Sequence, residues 1–110
     1  MVNVIFKLND GTSVTISISS RPIITSLGKP SLYGSGIEVD YYLSRNDWDG
    51  TYNENEIEEI VIPDEISHLF GGGEYVGTFS NCTNLTKVTF GLASKIQYLT
   101  KKCFSDCKNL

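Results

Sequence analysis

The sequence predicts a β-rich α/β solenoid, in which short repeated turns stack on one another and an N-terminal β-hairpin unit covers one end. Three observations lead to this fold class. The segment at residues 78–85 returns as a near-copy at 103–110, 25 residues later. Other apolar residues of the second half recur at matching spacings, and residues 2–18 alternate between apolar and polar. Repeats of this length are typical of solenoids, and alternation with a period of two is typical of strands that bury one face.

The first two strands are predicted to form a hairpin. Two apolar sets alternate with polar residues: Val2, Val4, Phe6 and Leu8, then Val14, Ile16 and Ile18. Asn9-Asp10-Gly11 between them is a strong hairpin signal. A two-residue loop would place the two apolar sets on opposite faces. A three-residue loop with Gly11 in the left-handed region pairs Phe6 with Val14, Val4 with Ile16 and Val2 with Ile18, all on one face. We therefore predict the three-residue loop.

The rest of the N-terminal half is predicted to complete a small β-rich unit. Residues 19–36 are rich in Ser, Gly and Pro and are expected to form a loop. The segment from Ile37 to Leu43 alternates again, which predicts a third strand. Because an isolated hairpin is only marginally stable, we expect residues 1–56 to dock on the repeats as their cap.

From residue 57 the pattern changes to a repeat. Ile57, Ile60 and Ile62 share their spacing with Leu85, Val88 and Phe90, and Ile66 and Leu69 share theirs with Ile96 and Leu99. Each block then ends in Phe-Ser-x-Cys-x-Asn-Leu, and the first block carries about five extra residues around residues 71–75. We therefore divide the chain into a cap at 1–56 and about two repeat units at 57–110, the last of them incomplete.

These repeats resemble the BspA-type leucine-rich repeats, in which a strand and a loop precede an aromatic-Ser-x-Cys-x-Asn-Leu turn. Ile60-Val61-Ile62-Pro63 is similar to that family's strand and its frequent proline, although Phe90-Gly91 replaces the Ile-Pro in the second unit. The resemblance assigns inward-facing core positions to Phe79, Cys82, Leu85, Phe104, Cys107 and Leu110. It also matches Asn84 and Asn109, whose side chains can bond loop backbone groups.

The resemblance implies a function as well as a fold. Members of the family are often bacterial or protist surface proteins that bind host proteins or other cells. We therefore expect a non-enzymatic protein–protein interaction module that presents a short leucine-rich-repeat surface, as a bacterial cell-surface or adhesion-type protein does. Repeat scaffolds are reused widely, so the fold by itself does not identify the partner.

The candidate nucleophiles give little indication of an enzyme. Cys82 and Cys107 occupy equivalent repeat positions, which favours a stacked pair of core thiols over a disulfide between them. Cys103 stands beside two lysines that could lower its pKa, but a position flanking the core is the simpler interpretation. His68 is the only histidine, and its neighbour Ser67 is not expected to be its catalytic partner. No cofactor is expected.

The charges divide sharply along the chain. Residues 38–74 carry eleven acids against Arg45 alone, whereas the N-terminal and C-terminal segments are net positive. An acidic centre disfavours nucleic-acid partners. A solvated face is the simplest explanation of the acids. The alternative function is a small acidic inhibitor of the phage type, or an assembly protein, that uses residues 38–74 to occupy a basic site.

The acidic segment also contains a weak calcium-loop pattern. Asp47, Asp49 and Glu56 fall at the third, fifth and twelfth positions of that pattern. Arg45 stands at the first ligand position, where a cation opposes Ca²⁺. The preceding segment is predicted as a strand, whereas an EF-hand requires a helix there. We therefore expect no metal, with calcium at Asp47, Asp49 and Glu56 as the alternative.

Three aromatic residues are candidate contacts for a protein partner. Trp48 and Tyr52 lie in the acidic segment and Tyr75 lies in the insertion of the first repeat. Large aromatic side chains carry much of the energy of protein interfaces, although packing in the core or cap is the alternative for each. The basic C-terminal end and the acidic centre would also suit a homo-oligomer formed through the C-terminal repeat edge.

The location of the protein follows only loosely from the sequence. No apolar run approaches the ~18 residues of a membrane-spanning helix, so no membrane insertion is expected. The N-terminus lacks the charged, apolar and cleavage regions of a signal peptide. We expect a cytoplasmic protein if the chain stands as it is, or a cell-surface protein if a leader has been removed.

Overall fold

A computed structural model describes residues 1–19, 21–22, 38–39, 41–72, 76–100 and 102–110. Within these ranges nine strands follow one another, and two 3₁₀ turns at Arg45–Asp47 and Glu54–Glu56 lie between the fifth and sixth. The strands are β1 Val2–Leu8, β2 Ser13–Ile18, β3 Arg21–Pro22, β4 Glu38–Val39, β5 Tyr42–Ser44, β6 Ile57–Ile62, β7 His68–Phe70, β8 Lys87–Phe90 and β9 Tyr98–Leu99. No α-helix occurs in the described ranges, so the helical component of the predicted α/β class finds no counterpart there.

The hairpin of β1 and β2 has the predicted loop. Phe6 pairs with Val14, Val4 with Ile16 and Val2 with Ile18. The Leu8 N–H donates to the Thr12 carbonyl, and Gly11 has a φ of 90°. The backbone turns at Gly11 in a region that glycine enters without a steric cost. The three-residue loop is therefore confirmed, and one face of β1 is buried along its whole length.

The hairpin joins the repeats directly through β1. A four-stranded sheet runs in the order β2-β1-β6-β8. β1 pairs antiparallel with β6, and Glu58 forms a bulge because Lys7 pairs with Glu59 but Leu8 with Ile57. The hairpin thus docks on the repeats through a backbone ladder with one bulge.

The predicted third strand, Ile37 to Leu43, is divided in the structure. Glu38–Val39 pairs with Arg21–Pro22, inside the segment predicted as loop, and Tyr42–Ser44 belongs to a different sheet. The single strand was therefore a wrong prediction, because alternation by itself does not reveal where a strand changes sheet. Ile37, Asp40 and most of the predicted loop lie outside the described residues.

The repeat spacing read from the sequence is confirmed by strand pairing. β6 and β8 are parallel, with Ile60 beside Val88 and Ile62 beside Phe90. β7 and β9 are parallel as well, with Leu69 beside Leu99. These three predicted equivalences are therefore pairs of neighbouring residues in a sheet, as stacked turns require.

A third turn precedes the two that the sequence indicated. β5 pairs parallel with β7 and places Leu43 beside Leu69, so β5-β7-β9 forms one three-stranded parallel sheet. The residues after β5, 45–56, form the acidic turn, and we refer to residues 86–110 as the last turn. One core cluster includes residues of the hairpin, the acidic turn and the repeats. The predicted boundary at residue 56 therefore does not separate two cores.

Candidate functional site

The two copies of the Phe-Ser-x-Cys-x-Asn-Leu motif differ in how deeply they are buried. In the first copy, residues 78–85, the side chains of Phe79, Cys82 and Leu85 have no exposed surface. In the second copy, residues 103–110, Phe104 and Cys107 are half-buried and Leu110 is 51% exposed. The inward positions assigned from the resemblance therefore form a closed core in the first copy and a partly open one in the second, where Leu110 is not the buried residue expected.

The strands that lead into the two copies show the same contrast. Ile62 and Leu69 of the first repeat are 1% and 0% exposed. Their partners in the last turn, Phe90 and Leu99, are 38% and 45% exposed. The pairing makes these residues equivalent, so the difference comes from their neighbours and not from their residue types. The last turn thus presents partly exposed apolar side chains at positions that are core positions one turn earlier.

Polar contacts bind the three turns together at regular places. The Asn84 side-chain amide donates to the Asn55 carbonyl at 2.6 Å, and the Asn109 amide donates to the Thr83 carbonyl at 2.7 Å. Each asparagine therefore bonds a loop carbonyl of the turn before it, as the sequence predicted. Asn81 and Asp106 occupy equivalent positions and have φ values of 63° and 59°. Asn and Asp adopt this left-handed conformation more readily than other non-glycine residues.

Trp48 does not form the exposed contact that the sequence suggested. Its side chain has no exposed surface. It stacks on Phe79 with ring centroids 6.3 Å apart, and Phe79 stacks on Phe104 at 5.8 Å. Phe6 of the hairpin meets both Trp48 and Phe79 edge-on. The prediction of Trp48 as a contact is wrong, because the indole is the first member of an aromatic column through all three turns.

The other two candidate contacts are less fully placed. Tyr52 is half-buried and packs against the core cluster, in line with the alternative of core packing. Tyr75 lies outside the described residues. Beside Tyr52, a polar groove runs between the acidic turn and the first copy of the motif, lined by Asn53, Glu54, Asn55, Asn81 and Thr83.

Arg45 is the residue whose role the sequence did not indicate. Its side chain is only 3% exposed. The guanidinium donates to the Ser80 carbonyl at 2.6 Å, forms ion pairs with Asp49 at 3.2 Å and with Glu54, and lies 4.5 Å from the centre of the Trp48 ring. A planar guanidinium with five donors can bind a carbonyl and two carboxylates at once. Arg45 therefore ties the acidic turn to the first copy of the motif.

The acids of the weak calcium pattern have other partners. Asp47 accepts the Ser44 N–H at 2.7 Å, and Glu56 accepts the Asn53 N–H at 3.0 Å. Each carboxylate thereby caps a 3₁₀ turn. Asp49 is paired with Arg45. Within the described ranges, no three His, Cys, Asp or Glu side chains converge as a metal site requires. Asp47, Asp49 and Glu56 are thus placed as structural side chains.

The thiols have the character of core residues. All three cysteines are free. Burial raises the pKa of Cys82 to about 12 and that of Cys103 to about 11. Burial also raises the pKa of Cys107, whose Sγ lies 3.1 Å from the Phe79 carbonyl oxygen. Because the thiolate is the nucleophile, these shifts disfavour reactive cysteines.

Ser67 and His68 are in contact, but not as a nucleophile and its base. The Ser67 hydroxyl lies 2.7 Å from His68 Nδ1 and donates its hydrogen to the Tyr41 carbonyl at 3.0 Å. The hydroxyl has one hydrogen, so while the Tyr41 carbonyl accepts it the contact with the ring requires N–H at Nδ1, a tautomer that cannot take the serine proton. Burial lowers the pKa of His68, which keeps the ring neutral near pH 7.

Comparison with other proteins adds no family to this description. No family model, no curated protein and no solved structure matches the chain. In the part of the chain that the structure describes, no helix has the length and apolar character needed to cross a membrane.

Proposed function

We propose that this protein is a non-enzymatic protein–protein interaction module, built as a short array of leucine-rich repeats, which binds its partner through the last turn. The proposal rests on the resemblance of residues 57–110 to BspA-type repeats and on the geometry of the stack. Its main support is that the side chains of Phe90 and Leu99 are exposed although the equivalent side chains of Ile62 and Leu69 are buried. Exposed apolar side chains grouped in this way are typical of interaction sites.

The chemistry of the other candidate groups favours the same function over an enzyme. Burial raises the pKa values of Cys82 and Cys103, and Ser67 donates its hydroxyl hydrogen to a backbone carbonyl. The buried guanidinium of Arg45 donates hydrogen bonds to the Ser80 carbonyl and to the carboxylates of Asp49 and Glu54. The thiols, the serine hydroxyl and the guanidinium therefore have structural roles, and we assign partner binding to the exposed surface of the stacked turns.

The alternative, an acidic inhibitor or assembly protein that uses residues 38–74, has less support. Asp47 and Glu56 accept backbone N–H groups, and Asp49 and Glu54 are paired with Arg45. Acids engaged in this way present less free negative charge to a basic partner than the sequence suggested.

Affinity capture followed by titration tests the proposal. A protein captured from the source organism is identified, purified and titrated with the wild-type chain and with two serine variants, Phe90→Ser and Leu99→Ser. Ile5→Ser is the matched control, because Ile5 is 40% exposed but lies on β1, which β6 separates from the last turn. We expect the two last-turn variants to weaken binding by about tenfold or more, or about 1.4 kcal/mol, and the control to bind like the wild type. Equal affinity for all four chains would overturn the proposal.

A further inference from the structure

The edge strand β8 has backbone N–H and C=O groups on one side that pair with no described strand. Among the described strands, β8 pairs with β6 through Lys87, Val88, Thr89 and Phe90, and no strand lies on its other side. Successive residues of a strand direct their N–H and C=O groups to opposite sides. About half of the β8 backbone groups therefore face the open edge, which makes β8 a template for pairing with another chain.

Apolar side chains continue this edge. Phe90, Leu99 and Leu110 are 38%, 45% and 51% exposed. The residues at these positions one turn earlier, Ile62, Leu69 and Leu85, are at most 1% exposed because the last turn covers them. A segment laid along β8 would cover Phe90 and the half-buried Val88 in the same way. The backbone edge and the apolar patch are thus parts of one surface.

The positive charge of the last turn indicates which kind of segment would bind at this edge. Lys87, Lys95, Lys102 and Lys108 are all exposed in the last turn, and Asp106 is the only described acid among residues 86–110. Two copies meeting through this end would bring these lysines together, which is unfavourable. A partner segment with acids between its apolar residues is favoured instead. β6, the strand already on the other side of β8, has this pattern, and its Glu59 lies beside Lys87.

We propose that the open edge of β8 binds an extended, acidic and apolar segment of a partner protein as an added β-strand. The segment alternates apolar side chains, which cover Val88 and Phe90, with carboxylates that meet Lys87 and the exposed Lys95 and Lys108. Backbone hydrogen bonds supply affinity, as in other cases of strand addition, and the side-chain pattern supplies specificity. This inference rests on the proposed function and names the partner class of the same surface.

The test uses a synthetic peptide that repeats residues 57–62 between polar flanks, and a second peptide in which both glutamates are replaced by lysine. Binding to the full chain is measured by titration, and amide hydrogen exchange is measured by NMR with and without peptide. We expect the acidic peptide to bind and to protect the β8 amides that exchange rapidly in the free chain. The lysine peptide should bind at least about tenfold more weakly.

Charge variants separate this inference from the proposed function. Lys87→Glu should weaken the binding of the acidic peptide by about tenfold and should strengthen the binding of the lysine peptide. Lys7→Glu is the matched control, because Lys7 lies on β1 of the same sheet, two strands away, and is also exposed. Equal peptide affinity for both variants, or unchanged exchange in β8, would overturn strand addition even if Phe90→Ser still abolished partner capture. A free chain that dimerises with β8 already protected would also overturn it, because the occupant would then be a second copy.

Discussion

The first and second copies of the repeated motif have nearly the same sequence but different surroundings. Phe79 is covered on one side by Trp48 of the acidic turn and on the other by Phe104. Among the described rings, Phe104 has such a neighbour on one side, and it is half-buried. In a stack, the burial of a position depends on whether a turn lies on each side of it. The repeat motif therefore determines the direction in which a side chain points. The neighbouring turns determine how deeply that side chain is buried, and so how much it contributes to the stability of the fold.

The largest expected difference concerns the two phenylalanines. Phe79→Ala should lower the free energy of unfolding by about 3–5 kcal/mol, because it removes a fully buried ring from the middle of the aromatic column. Phe104→Ala removes an equivalent but half-buried ring and should cost less than half as much. Urea unfolding of both variants at one temperature measures the difference. Equal losses would mean that the second copy is as well covered as the first.

A smaller effect is expected for Arg45, which contacts the first copy of the motif. Arg45→Ala should cost about 1–3 kcal/mol, because the carbonyl of the buried Ser80 loses its donor. The partner carboxylates of Asp49 and Glu54 are 47% and 42% exposed, so water can replace the guanidinium around them. Arg45→Lys should restore little, because an ammonium group cannot bind the carbonyl and both carboxylates in the same geometry. Full rescue by lysine in urea unfolding would show that charge alone is needed.

The asparagine ladder should show no difference between the copies. Asn84→Ala and Asn109→Ala each remove one hydrogen bond to a loop carbonyl, of 2.6 Å and 2.7 Å. Both asparagines are exposed, so each variant should lose about 1 kcal/mol. Thermal unfolding, monitored by circular dichroism, measures both losses. A loss at Asn84 several times that at Asn109 would show that the contrast between the copies extends beyond apolar burial.

A further difference between the copies should appear in the pH dependence of stability. The pKa of Cys82 is raised by burial to about 12, above the value of 9.0 expected for the unfolded chain. The stabilisation linked to this thiol is therefore complete below pH 9 and is lost as the pH rises from 9 toward 12. Stability should fall less steeply above pH 9 in Cys82→Ala than in the wild type. Cys107→Ala, at the half-buried equivalent position, should change that slope less. Urea unfolding at pH 8 and pH 10 compares the slopes, and identical slopes in all three chains would contradict the burial of Cys82.

Much of the stack was predictable from spacing, and the exceptions have physical causes. The hairpin loop followed from the need for one apolar face, and the pairs Ile60–Val88 and Leu69–Leu99 followed from repeat equivalence. The acidic turn was missed as a repeat because its polar residues hide the pattern. The spacing from Leu43 to Trp48 is nevertheless the spacing from Leu99 to Phe104. That match was the available signal that Trp48 is a core residue.

The site was less predictable than the fold. The charge of Arg45 suggested only an obstacle to calcium, whereas its burial depends on acceptors at Ser80, 35 residues away in sequence. Exposure at Phe90 and Leu99 could not be read from residue type, since apolar residues at repeat positions are expected in a core. The exposure of these two side chains depends on whether another turn packs against the turn that carries them. Sequence spacing identifies the equivalent positions, and three-dimensional coverage decides which of them are free to bind.

Amide hydrogen exchange of β6 and β8 in the free chain, measured residue by residue, tests the central claim most directly. β6 lies between β1 and β8, so its interior amides should all exchange slowly. Among the described strands β8 is paired with β6 alone, so slow and fast exchange should alternate along Lys87, Val88, Thr89 and Phe90. This alternation is the result that an open last turn predicts. Slow exchange at all four β8 amides, equal to that of β6, would contradict it.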